Sequence, residues 1–276
     1  MNYLNKTILT ISFLFITINL YSQYELTYLY EFKKDSVRKK TNTDFMNVII
    51  DGDNHIYRGE SHIMYDSITY TKKKIDGNNI NSVLKETMEL KKVVDNYSLE
   101  LDLDKGIEKH YVYNLELPFY YEKKIELPRW NLINDILEID GKKLKKATTT
   151  FLGRNWIAYY SEELPIQAAP YLFYGLPGSI VKLHDENNNF KFELIKIKSK
   201  TDFSNLYETM ISKRRTDFVK MNKDEVYKLG KSLQQNMTNI LIESGLQLTE
   251  EEIKIRQEKE KKRKYIYLNP NIPFYL

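Results

Sequence analysis

Three of the chain's ten glycines and three of its seven prolines fall between Gly153 and Val181. No helix can run through such a stretch, because proline removes a backbone donor and clashes with the preceding turn, and no central strand can carry it either. The chain here must consist of short strands joined by shaped turns. Leu152-Gly153-Arg154-Asn155 reads as a hairpin-type turn leading into Trp156, Leu164-Pro165-Ile166 breaks the following strand, and Tyr174-Gly175-Leu176-Pro177-Gly178 turns the chain again. Pro177 fixes its own φ and pushes Leu176 towards extended geometry, while Gly175 and Gly178 permit positive φ or a close backbone approach. This pattern predicts a type II turn with Pro177 and Gly178 at its centre.

Trp156, Tyr159, Tyr160, Tyr171, Phe173 and Tyr174 crowd the same stretch. They are the candidate lining of a pocket for an apolar ligand or a partner peptide, with Gly175 to Gly178 at its rim. The plain alternative is that the aromatics fill a core and the turn only starts the next strand.

The flanks read as sheet. Tyr24, Leu26, Tyr28, Tyr30 and Phe32 alternate with Glu25, Thr27, Glu31 and Lys33, the period of a strand with one apolar face. The turn cluster Asp51-Gly52-Asp53-Asn54 places strands at 45–50 and 55–58. Further β segments are expected at 62–65, 97–103 and 109–114, and residues 85–94 read equally as helix or strand. Residues 143–151, with three successive threonines, pair with 156–160, and 179–184 and 190–197 form another hairpin. Together these make an antiparallel meander with one wet face.

Beyond about residue 200 the period becomes helical. Asn222 with Glu225 reads as a capping box, Val226, Leu229, Leu233, Met237, Ile240 and Leu241 follow at helical spacing, and Gly245 ends the helix. Thr249 with Glu252 repeats the signature for a second helix. Its acids Glu250–Glu252 lie at the positive end, and Lys259 and the basic run Lys261–Lys264 at the negative end. The basic run reads as a solvated helix end, with contact to an anionic membrane as the sharper alternative.

Lys6 followed by the apolar run from Ile8 to Leu20 has the layout of a cleaved secretory signal peptide. A short membrane anchor is the competing reading, but the run is too short to span a bilayer comfortably. The chain has no cysteine, which excludes lipid-modified cysteine, disulfides and cysteine-ligated zinc. The net charge of +4 on 276 residues gives no electrostatic case for nucleic acid.

No catalytic set is recognisable. His55, His62, His110 and His184 show no helical zinc-site spacing, although His55 and His62 could approach across a turn. There is no G-x-S-x-G elbow, and Gly175-Leu176-Pro177-Gly178 lacks the spacing and the N–H groups of a phosphate cradle. No metal and no cofactor are therefore expected.

Trp130, Gly141, Lys146-Ala147-Thr148, Gly153-Arg154, Trp156, Ala158-Tyr159-Tyr160-Ser161, Leu164-Pro165-Ile166, Pro170 and Tyr174-Gly175-Leu176-Pro177-Gly178 occur in an order that resembles the GLPGLI family of exported Bacteroidetes proteins. The closing Asn269-Pro270-Asn271-Ile272 is similar to that family's ending. Ser179-Ile180 replaces its Leu-Ile, Leu144 stands where many members carry cysteine, Tyr159 where tryptophan is common, and Ala169 where glycine precedes proline. The resemblance implies export and an outer-envelope setting, and it carries over no catalytic residue.

The expected architecture is α+β: a curved, largely antiparallel sheet, of which a half-open barrel is one form, with C-terminal helices laid against it. Residues 1–22 form the leader, 23–200 the β-rich domain and 201–276 the helical region and tail. The expected role is a non-enzymatic envelope binding or scaffold protein, periplasmic, attached to the outer membrane or extracellular. An envelope protein, peptide or lipid is the partner class. A periplasmic lipid or lipoprotein carrier with an aromatic cavity, and a hydrolase with an unconventional site, are the alternatives.

Overall fold

The computed structural model describes residues 23–33, 40–76, 97–112, 119–139, 141–164, 166–200, 218–243 and 245–262. The leader at 1–22, the undecided stretch at 85–94, residues 201–217, Arg263 and Lys264 of the basic run, and the closing 269–272 lie outside the described residues.

The N-terminal half contributes strands β1 (Gln23–Lys33), β2 (Thr41–Asp51), β3 (Asn54–Gly59), β4 (Tyr97–Asp102), β5 (Ile107–Val112) and β6 (Phe119–Lys124), with helix α1 (Glu60–Asp76) between β3 and β4. The C-terminal half contributes β7 (Asn131–Ile139), β8 (Lys142–Phe151), β9 (Arg154–Ser161), β10 (Ser179–Asp185) and β11 (Phe190–Lys200). Two-residue β12 (Val219–Lys220) and helices α2 (Lys223–Glu243) and α3 (Glu250–Lys262) follow.

All twelve described strands belong to one sheet, in the order β12-β6-β5-β4-β3-β2-β1-β11-β10-β9-β8-β7. Each half is a meander of sequential neighbours, and the pairing of β1 with β11 welds the two together. Every described pairing is antiparallel except the short parallel contact of β12 with β6. The sheet is curved and unclosed, with β7 and β12 at its two edges.

The alternation read in β1 sets the core. Leu26, Tyr28, Tyr30 and Phe32 are fully buried on the concave face, and their partners continue that face across the sheet. Leu26 stands opposite Val48, Val48 opposite Tyr57, Tyr57 opposite Leu99, Leu99 opposite His110, and His110 opposite Tyr121. Burying each large apolar side chain stabilises by roughly 1.5–3 kcal/mol.

Both predicted capping boxes form. The Asn222 Oδ1 accepts from the Glu225 amide at 2.9 Å while Glu225 Oε2 accepts from the Asn222 amide at 3.1 Å. Thr249 and Glu252 make the same reciprocal pair. Gly245, at φ +97°, closes α2 with its amide bonded to Ile242 and that of Leu246 bonded to Leu241, a Schellman motif. Val226 of α2 is buried in the core, and Thr238 ties α2 to Glu260 of α3. No helix among the described residues is long and apolar enough to cross a membrane.

One local reading needs correction, and two strands need adding. The strand expected at 62–65 is the start of α1. No glycine or proline interrupts Glu60 to Asp76, Glu60 sits favourably in the first turn, and the β-favouring residues of this stretch give way to that continuity. Strands β6 and β7 are additions that the sequence pattern does not announce. β7 is an edge strand whose Leu132 and Ile136 are exposed, so it has no one-sided burial pattern to reveal it.

Candidate functional site

The segment dense in glycine and proline folds back over the concave face. It begins at the β8–β9 hairpin, whose two loop residues Leu152 and Gly153 have φ of 51° and 71°, as a type I′ turn requires. Arg154 then lies 4.8 Å from the Phe190 ring centroid and 3.6 Å from Asp185. Asp185 accepts hydrogen bonds from the amides of Asn189 at 2.6 Å and Phe190 at 2.8 Å, fixing the β10–β11 turn.

After Ser161 the chain leaves the sheet, crosses the concave face through residues 166–178, and rejoins it at Ser179. The Ser179 hydroxyl donates to the Ile166 carbonyl and accepts from the Ala168 amide at 3.1 Å, pinning both ends of the crossing. A type II turn centred on Pro177 and Gly178 does not form, because Gly178 has no positive φ. The two glycines divide the work. Gly175 takes the positive φ, +105°, and Gly178 permits close approach, since a Cβ there would collide with the Ser161 carbonyl.

Five of the six candidate aromatics face this interior. Trp156, Tyr160, Tyr171, Phe173 and Tyr174 are buried, whereas Tyr159 sits on the opposite face beside His184, with ring centroids 6.5 Å apart. Phe173 packs 4.5 Å from Trp156 and 6.5 Å from Phe192, Tyr171 packs 5.6 Å from Tyr57, and Tyr174 packs 4.9 Å from His55. The Trp156 indole donates to Phe151 and the Trp130 indole to Tyr174. Tyr171 adopts φ +53°, an uncommon backbone state for a bulky residue, at the middle of the crossing.

Sequence reasoning missed a polar cluster on the same concave face. Glu108 and His110 alternate along β5, and Lys123 and Tyr121 stand opposite them on β6. Glu108 Oε1 lies 2.8 Å from His110 Nε2 and 2.7 Å from Lys123 Nζ, and the His110 ring stacks on Tyr121 at 4.6 Å. Glu108 Oε2 and the Tyr121 hydroxyl are buried with no hydrogen-bond partner among the described residues. Burial alone would raise the Glu108 pKa, but hydrogen bonds and charges from His110 and Lys123 outweigh it and hold the carboxyl below its usual value. Burial lowers the His110 pKa despite Glu108, with Lys123 and Lys223 adding to the effect. At neutral pH the pair is thus a carboxylate beside a neutral imidazole. The sequence signal was the Glu-x-His alternation, but nothing in the sequence says which face it occupies.

The other histidines serve elsewhere. His55, buried against Tyr174, has its pKa lowered to about 4 by burial, with a hydrogen bond to the Gly52 backbone opposing that shift. His62 is buried in α1, and among the described residues no three His, Asp or Glu side chains form a group suited to a metal ion.

A groove of about 410 Å³ opens beside the β8–β9 hairpin. Thr148 and Thr150 pair with Ile157 and Asn155 on the face opposite the core, and Asn131 of β7 pairs with Thr148. Arg129 completes one wall, its carbonyl held by the Thr149 hydroxyl at 2.8 Å. Glu186 completes another, accepting from the Asn155 amide at 3.1 Å, while Thr150 donates to Asn155 at 2.9 Å.

No protein-family model matches the chain, and no curated protein matches it. Among solved structures, PNGF-II in two crystal forms gives TM-scores of 0.47 and 0.45 at 14% identity, over 73% and 72% of this chain. The chain spans only 31% of the length of PNGF-II. A LolA superfamily protein, NE2245 from Nitrosomonas europaea, gives a TM-score of 0.29 at 6% identity, over 66% of this chain and 88% of that one. At these scores no site and no activity passes from either protein to this one.

Proposed function

We propose that this is an exported, non-enzymatic binding or scaffold protein of the cell envelope that meets its partner at its outer surface. The observation that carries the reading is the filled interior. Residues 166–178 occupy the concave face, and five of the six candidate pocket aromatics pack into this interior. A groove at the β8–β9 hairpin is open instead. The apolar leader supports export, and the ordered motif supports placement with the GLPGLI family. Its residues have shape-setting roles here: Gly153 makes the hairpin, Arg154 meets Asp185, and Gly178 allows the crossing.

A lipid carrier is the second reading, favoured by the aromatic interior and by the strained backbone of Tyr171 in the segment that would have to move. The hydrolase alternative has a perturbed carboxylate and histidine in Glu108 and His110, but both side chains are sealed from solvent. That leaves a substrate no access to them in this conformation.

Purification of the mature protein from its native envelope, followed by mass spectrometry, is expected to return a bound partner or ligand that slows hydrogen exchange across residues 148–157. A protein recovered free, with exchange there the same in envelope extract and in buffer, overturns the reading.

A further inference from the structure

We infer that the groove beside the β8–β9 hairpin is a binding site for a neutral, polyhydroxylated ligand, an oligosaccharide of about disaccharide size. The inference rests on the outer-surface reading and specifies the ligand class of that surface. The cavity, about 410 Å³, is within the roughly 300–1,000 Å³ of small-molecule clefts.

Its chemistry selects the ligand. Arg129 and Glu186 place one charge of each sign on the walls. An anionic ligand would meet the Glu186 carboxylate, and a cationic one the Arg129 guanidinium. A hydroxyl both donates and accepts, so a neutral polyol can serve both walls at once.

Between the charges stand uncharged groups of the same dual character. Thr148 and Thr150 are two residues apart on one strand face, and the amides of Asn131 and Asn155 flank them across the neighbouring strands. Asn155 is held in place on both sides, by Thr150 at 2.9 Å and by Glu186 at 3.1 Å, so part of the site is ordered before any ligand arrives. Ile157, on the same strand face as Thr148, supplies an apolar patch suited to the C–H face of a sugar ring. The site sits on strands rather than on a long loop, which keeps these groups in register.

Trp156 borders the groove, but its side chain is fully buried on the core face, so heat of binding is the direct readout. Calorimetry can follow titration of the full mature chain with maltose, cellobiose, lactose and diacetylchitobiose. At least one should bind saturably, and Arg129→Ala and Glu186→Gln should each weaken it by about tenfold, the loss of one charge-assisted hydrogen bond. Both residues are exposed, so the variants should melt with the wild-type protein.

Three results would overturn the inference: none of the four sugars binding at millimolar concentration, binding insensitive to both substitutions, or inorganic phosphate or glycylglycine binding in their place with the same sensitivity. Failure with sugars alongside a partner that protects 148–157 in envelope extract would sink the ligand class and leave the outer-surface reading standing.

Discussion

The concave and outer surfaces around the β8–β9 hairpin are made by alternate residues of the same strands, yet they are opposites. Ala147, Trp156 and Ala158 point into a face closed by residues 166–178, while Thr148, Thr150 and Asn155 point into an open polar groove. The first face is rich in aromatics and looks like a binding site in the sequence. It is filled by the protein itself. The second face carries residues that sequence reading passes over as ordinary strand polars, and it is the one that can be reached. Aromatic density marks where a chain packs, and accessible hydrogen-bonding groups in a concavity mark where it can bind.

If that contrast is right, damage to the inner face should be structural. Gly178→Ala forces a Cβ into the Ser161 backbone, and a loss of about 3 kcal/mol or more is expected, read as a fall in the denaturation midpoint. Gly106→Ala, where a Cβ meets open space but φ is +64°, should cost roughly 1 kcal/mol. Equal losses at the two positions would remove the close-packed crossing from the account.

Acid should act on the inner face next. His55 titrates at about 4 in the folded chain, against about 6.5 when unfolded. The unfolded state therefore binds more protons between those values. The stabilisation from His55 is present above pH 6.5 and lost as pH falls towards 4, on the order of 3 kcal/mol. His110, also lowered by burial, acts in the same direction. Denaturant melts at pH 7 and pH 4.5 should show the loss, and His55→Gln should flatten it. An unchanged slope in that variant would mean that His55 is not sealed beneath Tyr174.

The outer face should show the smallest effect on stability. Arg129→Ala is expected to change it by less than about 0.5 kcal/mol, because it removes an exposed side chain and leaves the strand pairing intact. A larger loss would make Arg129 part of the fold and weaken its assignment to a ligand.

The sequence made the one-sided strands legible wherever burial alternates, as in β1, and it made the helix ends legible because capping is local chemistry. It could not show edge strand β7, exposed on both faces, nor α1, whose β-favouring composition conceals an unbroken helix. The hinge of the candidate site was half readable. Gly175 and Gly178 were identified as special, but only the spatial return of the chain past Ser161 tells positive φ from close approach. The cluster of Glu108, His110 and Lys123 was out of reach for a related reason. Its members become neighbours only when β5 and β6 pair in register.

Solvent access decides most directly between a filled interior and an open groove, and the absence of native cysteine makes it measurable. Single variants Ala169→Cys, inside the crossing, and Thr150→Cys, in the groove, would be labelled with a water-soluble maleimide, with and without oleate. The account predicts immediate labelling at position 150, and labelling at 169 only at the rate of global unfolding, unaffected by oleate. Fast labelling at 169, or a rate there that oleate changes without changing stability, would contradict it and return the aromatic interior to the role of a ligand cavity.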